Sequence, residues 1–101
     1  MRKPTLNKQK ILQILELNKE NIRRFHAKRI GLFGSFVKRQ QHKKSDIDFL
    51  VAFEKKTFDN YMELKFFLEG LFKRKVDLVL EENLKPELKY VRREAAYVRI
   101  Q

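Results

Sequence analysis

One segment determines how this chain is interpreted: Gly34-Ser35-Phe36-Val37-Lys38-Arg39-Gln40-Gln41-His42-Lys43-Lys44-Ser45-Asp46-Ile47-Asp48. It is a Gly-Ser pair, then ten residues, then an Asp-x-Asp pair. A third aspartate follows within Lys75-Val76-Asp77-Leu78-Val79. The segment therefore combines residues suited to a phosphate with carboxylates suited to a metal ion.

The three aspartates form a candidate metal site. In a strand, residues i and i+2 point to the same face with Cα atoms roughly 6.5–7 Å apart, so Asp46 and Asp48 lie side by side. Two carboxylates this close repel unless a cation lies between them, and Mg²⁺ prefers one or two carboxylates with phosphate oxygens and water. If the strand of Asp77 is adjacent, the three acids can hold two metal ions about 4 Å apart. Two such ions activate an attacking oxygen and neutralise a leaving pyrophosphate.

The Gly-Ser pair forms a candidate phosphate site. Gly34 allows the backbone to turn closely against a phosphate, and Ser35 offers a hydroxyl at the start of a predicted helix running to about Gln41. Lys38 and Arg39 follow about one turn later, where they can contact phosphates. These four residues are the predicted nucleotide-binding set, and Asp46, Asp48 and Asp77 are the predicted catalytic and metal-binding set. Together they suit the transfer of a nucleotidyl group from a triphosphate to a hydroxyl.

Hydrophobic periodicity predicts helices and strands in alternation. The predicted helices cover residues 7–18, 35–41, 58–73 and 84–99, and the predicted strands cover residues 29–33, 46–53 and 75–80. Asn7 or Thr5 is the expected N-cap of the first helix. Tyr90 and Tyr97 are expected to share a face of the last one. The order α-β-α-β-α-β-α predicts an α/β (α+β) fold with one sheet of about three strands covered by helices.

Composition bounds the class of protein. With 101 residues, the chain has room for one domain, over residues 1–101, and 43% apolar residues are enough for a core. It has no cysteine, no apolar run near the roughly 20 residues of a membrane span and no apolar leader, which leads us to expect a cytoplasmic protein.

Net charge is distributed unevenly. Residues 1–44 hold 13 Lys/Arg and 2 acids, whereas residues 45–101 hold 11 of each, so the first part carries the net +11. A basic segment attracts polyanions: a nucleoside triphosphate, a nucleic acid or an acidic protein partner. The sequence alone leaves these three open.

The chain resembles the minimal nucleotidyltransferases of the DNA polymerase β superfamily. The signature of that family matches Gly34, Ser35, Asp46, Asp48 and Asp77, and the likeness extends over most of residues 6–100. The resemblance implies a polymerase β-like fold with a small mixed sheet. It also implies Mg²⁺-dependent transfer of AMP from ATP, with Ser35 on phosphate, Asp46 and Asp48 on metal, and Asp77 helping to activate the acceptor hydroxyl.

A partner is also implied by the resemblance. Many small members of this family resemble antitoxins that attach AMP to a tyrosine of a HEPN-type toxin. This chain departs from many relatives after the Gly-Ser pair, where Phe36-Val37-Lys38-Arg39 replaces x-Ala-Arg-Gly. Lys38 keeps the charge but lacks the planar fork of arginine.

Three alternatives remain open at this stage. The chain can be an antitoxin that acts by contact alone, a nucleotidyltransferase for RNA or a small molecule, or a nucleic-acid-binding protein. Changing Asp46 and Asp48 to asparagine separates a catalyst from a binder, because only a catalyst then loses function with its fold intact. Direct nucleic-acid binding predicts an affinity that falls steeply with salt.

Overall fold

The computed structural model describes residues 6–38 and 46–101, with Ser35 described by its backbone alone. Within these residues, four strands form one mixed sheet in the order β3-β2-β1-β4. The strands are β1 (Ala27–Phe33), β2 (Ile47–Phe53), β3 (Val76–Leu80) and β4 (Ala96–Arg99). Strand β1 is antiparallel to β2 and β4, whereas β2 and β3 are parallel.

Helices connect and cover these strands. They are α1 (Lys8–Leu17), α2 (Lys19–Arg23), α3 (Phe58–Phe72) and α4 (Tyr90–Glu94), with short 3₁₀ helices at Gly34–Phe36, Glu81–Asn83 and Pro86–Leu88. Helix α3 is the crossover between the two parallel strands, which need a long connection of this kind. In the described ranges, no helix has the length and apolar character needed to cross a bilayer.

Capping residues fix where the two longer helices begin. The side chain of Asn7 accepts a hydrogen bond from the backbone N–H of Lys10 at 2.9 Å, as expected for the N-cap of α1. The hydroxyl of Thr57 accepts one from the backbone N–H of Asn60 at 3.0 Å and so begins α3. Helix α3 ends where Lys73 adopts a left-handed conformation with φ of 54°.

The core lies between one face of the sheet and helices α1, α2 and α3. Its fully buried members from the helices and the sheet form one cluster: Ile11, Leu15, Ile22, Leu64, Leu68, Ala27, Ile30, Leu32, Ile47, Phe49 and Val51. Strand β2 alternates across the sheet, because Ile47, Phe49 and Val51 belong to this cluster while Asp48 does not. The opposite face of the sheet, called here the acidic face, carries Asp48.

The end of the chain differs from the sequence-based expectation. The predicted helix over residues 84–99 is wrong, and a 3₁₀ turn, the five-residue α4 and β4 occupy its place. Strand β4 pairs with β1, which satisfies a row of backbone groups that would otherwise form an open sheet edge. Tyr90 and Tyr97 consequently lie on different elements and share no helical face. The sheet has four strands rather than about three, within the α+β class expected.

The segment after Gly34 also differs from expectation. The predicted helix to Gln41 is a three-residue 3₁₀ helix, closed by hydrogen bonds from the N–H groups of Val37 and Lys38 to the carbonyl of Gly34. Phe36, 1% exposed, anchors this turn in the core. The rest of the predicted helix and the predicted polar turn at 42–45 lie outside the described residues.

We predict that Leu68→Ala destabilises the protein by about 2–5 kcal/mol, because Leu68 is fully buried and its loss leaves a cavity. Phe66→Ala is the matched control on the same helix; Phe66 is 60% exposed, so its change is expected within about 0.5 kcal/mol. Urea denaturation of both variants measures the difference. Equal losses of stability would contradict the packing of α3 described above.

Candidate active site

Two of the predicted acids lie opposite each other on neighbouring strands. Asp48 of β2 and Asp77 of β3 are register partners in the parallel ladder. Register partners project to the same side of a sheet, and Ile47 and Val76, the preceding pair, are buried on the other side. Asp48 is half-buried and Asp77 is exposed. The fold therefore brings together two acids that are 29 positions apart in the sequence.

Gly34 packs directly against the carboxylate of Asp48. Its backbone is left-handed, with φ of 75°, and a Cβ placed there would lie 3.0 Å from the carboxylate carbon of Asp48 and collide with Oδ2. Phe33, the preceding residue, is the register partner of Asp48 across the β1–β2 ladder. Both the backbone conformation and the lack of space therefore require glycine at this position.

The structure describes some of the other predicted site residues fully and others only in part or not at all. Asp46 is exposed and comes immediately before β2, two residues ahead of Asp48. Lys38 is exposed at the end of the Gly34 turn. The backbone of Ser35 lies within the 3₁₀ turn, but its side chain and all of Arg39 lie outside the described residues.

The carboxylates of Asp46, Asp48 and Asp77 suit a magnesium ion that is bound together with a nucleotide. Across the described segments, no three acidic or histidine side chains are close enough to form a complete metal cage. Mg²⁺ does not require one, because it takes one or two carboxylates and completes its shell with phosphate oxygens and water. The in-register pair Asp48 and Asp77, with Asp46 close in sequence, is a donor set of that kind.

A cavity of about 190 Å³ opens beside the Gly34 turn. Its walls come from the turn and from α4, and they include Phe33, Gly34, Lys38, Tyr90, Val91 and Glu94. The sequence analysis placed Tyr90 on one long helix with Tyr97 and did not place α4 beside Gly34. The sequence carries no local signal for this placement, because the position of α4 depends on the entry of β4 into the sheet beside β1.

Arg74 is a second residue that the sequence analysis missed. Its guanidinium carbon lies 5.6 Å from the ring centre of Phe36, the residue that anchors the Gly34 turn. Arg74 also precedes β3, and the neighbouring Lys75 carbonyl accepts a hydrogen bond from the N–H of Ile47 at 3.1 Å. A cation is thus held near the end of the sheet where the acids lie. The sequence signal was its position three residues before Asp77.

A buried carboxylate organises the other end of the acidic face. Glu81 is 8% exposed and accepts two hydrogen bonds from Arg29, at 2.8 and 3.2 Å. Nε of Arg92 and the hydroxyl of Tyr97 also donate to it, at 3.2 and 3.3 Å. The ring of Tyr97 lies across Gly31, where a Cβ would be 2.8 Å from two ring carbons. These contacts join β1, α4 and β4 through one side chain.

The same contacts change proton affinities. Burial, and then the negative charge of Glu81, raise the pKa of Tyr97 above its ordinary value. The hydrogen bonds from Arg29 to Glu81 raise the pKa of that arginine above its ordinary value.

Comparisons with known proteins identify the family of this chain. The model of the family described as polymerase beta, nucleotidyltransferase, matches residues 9–95. The chain belongs to the polymerase β nucleotidyltransferase family. Protein adenylyltransferase MntA of Thermococcus cleftensis is 40% identical over 96 residues, which are 92% of this chain and 97% of that protein. The chain is therefore a nucleotidyltransferase by family.

Solved structures of nucleotidyltransferases share the fold. One, described as a minimal nucleotidyltransferase, has a TM-score of 0.70 at 35% identity and covers 92% of this chain and 97% of its own. Another is a toxin–antitoxin crystallised with AMP-PNP, with a TM-score of 0.62 at 27% identity over 95% of this chain and 73% of its own. The expected polymerase β-like nucleotidyltransferase fold is confirmed.

We predict that Gly34→Ala destabilises this nucleotidyltransferase by about 1–2 kcal/mol, because it adds left-handed strain and a clash with Asp48. Gly70→Ala is the matched control: Gly70 lies in α3 with open space around it, so alanine is expected to add about 0.5–1 kcal/mol of stability. Urea denaturation gives both values. A Gly34 variant as stable as the wild type would contradict the close packing against Asp48.

We predict that Tyr97 makes folding sensitive to alkaline pH. Its pKa is raised in the folded state, so the unfolded chain loses the proton first, and this contribution to stability is lost as the pH rises above about 10. The free energy of unfolding should fall more steeply from about pH 9 to 11 in the wild type than in Tyr97→Phe. Parallel curves for the two proteins would show that Tyr97 titrates alike in both states.

Proposed function

We propose that this protein is an Mg²⁺-dependent adenylyltransferase that moves AMP from ATP to a tyrosine of a HEPN-type toxin and so acts as its antitoxin in the cytoplasm. The observation that carries the proposal is the packing of Gly34 against Asp48, which is itself in register with Asp77. A phosphate-binding turn and two carboxylates then lie next to each other, as nucleotidyl transfer requires. We further propose that residues 1–101 form one such domain, since the family model matches residues 9–95.

The phosphates bind at the Gly34-Ser35 turn. Three residues are too short for a substantial helix dipole, so the backbone N–H groups of the turn, the hydroxyl of Ser35 and nearby cations hold the triphosphate. Lys38, at the end of the turn, and Arg39 are the cations that the sequence predicts. We add Arg74 to these cations, because it packs on Phe36 in the Gly34 turn.

The acids take two roles in the transfer. Asp46, Asp48 and Asp77 would hold magnesium, which would neutralise charge on the phosphates and on the leaving pyrophosphate. The acceptor oxygen bonds to the α-phosphorus while the bond from that phosphorus to the bridging oxygen breaks, and pyrophosphate leaves. Asp77 accepts the proton of the acceptor hydroxyl, because its exposed position on the acidic face is open to an incoming side chain.

The nucleoside lies in the cavity between the Gly34 turn and α4. That cavity is adjacent to the phosphate turn and presents the half-exposed ring of Tyr90, on which a base can stack. Glu94 supplies a hydrogen-bond acceptor in the same wall.

Relatives support a protein as the acceptor. The Thermococcus cleftensis relative is named a protein adenylyltransferase, and a structural neighbour is a toxin–antitoxin with an ATP analogue. The acidic face bears Asp77 exposed at its surface, so a folded partner can approach the reacting groups directly.

The test uses ATP labelled at the α-phosphate, with Mg²⁺, the purified protein and lysate of the source organism. We predict a labelled protein band that falls by about a hundredfold or more with Asp46→Asn/Asp48→Asn, the scale on which loss of an electrostatic stabiliser acts. Chelation of Mg²⁺ by EDTA should abolish the label. Mass spectrometry of the band identifies the partner and the modified residue.

Asp59→Asn/Glu63→Gln is the matched control, since it removes two exposed acids from α3, across the sheet from the acidic face. Its labelling should equal that of the wild type. Label found in RNA or in a small molecule would show that this molecule, and not a protein, is the acceptor. No acid-dependent label, with folded protein and intact ATP, would favour an antitoxin that acts by contact alone.

A further inference from the structure

A second cavity, of about 490 Å³, lies at the opposite end of the acidic face from Asp48 and Asp77. We call it the cationic cavity, and its lining consists of Arg29, Glu81, Lys89, Arg92, Arg93 and Tyr97. Four cations thus surround one acid. Three of the four come from residues 89–93, and the fold brings Arg29 of β1 next to them.

The cavity already binds one carboxylate. Glu81 at its base receives the paired hydrogen bonds of Arg29 and a further one from Arg92. Paired guanidinium N–H groups match the geometry of a carboxylate. Arg29 and Arg92 are therefore engaged by Glu81, and an incoming acidic group must be bound by the other cations of the lining.

Two cations at the rim remain available for a ligand. The side chains of Lys89 and Arg93 are exposed and make no hydrogen bond or ion pair within the described parts of the chain. Glu81 is shared by Arg29 and Arg92 and is nearly buried, so it cannot neutralise these two as well. The rim therefore carries uncompensated positive charge beside the exposed ring of Tyr97.

The cavity and the acids are separated by a short distance along the strands. Arg29 pairs with Ala52, whereas Phe33 pairs with Asp48, so the separation is four residues on both strands. Four residues of strand span about 13 Å. An extended peptide covers the same distance with about four residues of its own.

We propose that the cationic cavity binds an acidic segment of the protein acceptor and thereby directs a hydroxyl about four residues away towards Asp48 and Asp77. The inference rests on the proposed function, because it assigns a docking surface to the acceptor of that reaction. Charge complementarity selects the occupant, because the uncompensated charges of Lys89 and Arg93 attract aspartate and glutamate side chains. One exposed aromatic ring in the lining is also a poor stacking platform for a nucleic acid.

The test measures binding without nucleotide, by fluorescence anisotropy. The probe is a labelled glutamate-rich peptide of about ten residues with one tyrosine, a length that spans the face. We predict that Lys89→Ala/Arg93→Ala weakens its binding about five- to thirty-fold. Lys8→Ala/Arg24→Ala, which removes two exposed cations from α1 and the end of α2, should change it less than about twofold.

Two further arms keep the outcomes distinct. Asp46→Asn/Asp48→Asn should still bind the peptide, because neither residue lines the cavity. If the wild type binds the peptide through the cavity but transfers no AMP to protein, the enzymatic proposal is overturned and the assignment of the cavity to an acidic peptide stands. Equal weakening of peptide binding in both lysine–arginine variants would show that net charge alone determines the affinity. That result would overturn the assignment of the peptide to this cavity. Tighter, cavity-dependent binding of a single-stranded RNA of equal charge would reassign the surface to nucleic acid.

Discussion

The parallel pairing of β2 with β3 is the constraint on which the site depends. It places Asp48 opposite Asp77, and helix α3 is the connection that makes it possible. The Gly34 turn then reaches Asp48 from the other neighbour, β1, where only a residue without a side chain fits. Three separate parts of the chain therefore meet at the end of one sheet, and each is held there by backbone hydrogen bonds rather than by side chains of the site.

One face of the sheet packs on the core, and the other is the acidic face. Ile47, Phe49 and Val51 join the core under the helices, while the residues between them face the other way. Because the period of a strand is two, one segment of seven residues both stabilises the fold and presents an acid. On the acidic face Leu50 is fully buried, whereas Asp77 is exposed, as the proposed approach of a nucleotide and an acceptor requires.

Glu81 links the cationic cavity of the acidic face to the packing of the fold. A nearly buried carboxylate is costly to desolvate, and the hydrogen bonds from Arg29, Arg92 and Tyr97 offset this cost. The same bonds hold α4 and β4 against β1, so the segment that closes the sheet edge also forms walls of the cavity beside the Gly34 turn and of the cationic cavity. Strand pairing, cavity shape and surface charge are coupled there through one side chain.

The sequence by itself determined the class of fold, the first three strands, the helices α1 and α3 and the family, because hydrophobic period, caps and the Gly-Ser to Asp-x-Asp spacing are local signals. Tertiary structure decided the fourth strand. The stripe from Leu84 to Val98 is compatible with a helix, but the open edge of β1 provides hydrogen bonds that a short segment cannot supply for itself. It also decided the register of Asp48 with Asp77, the closeness of Gly34 to Asp48 and the cationic cavity. These depend on contacts between residues distant in the chain, which no local pattern encodes.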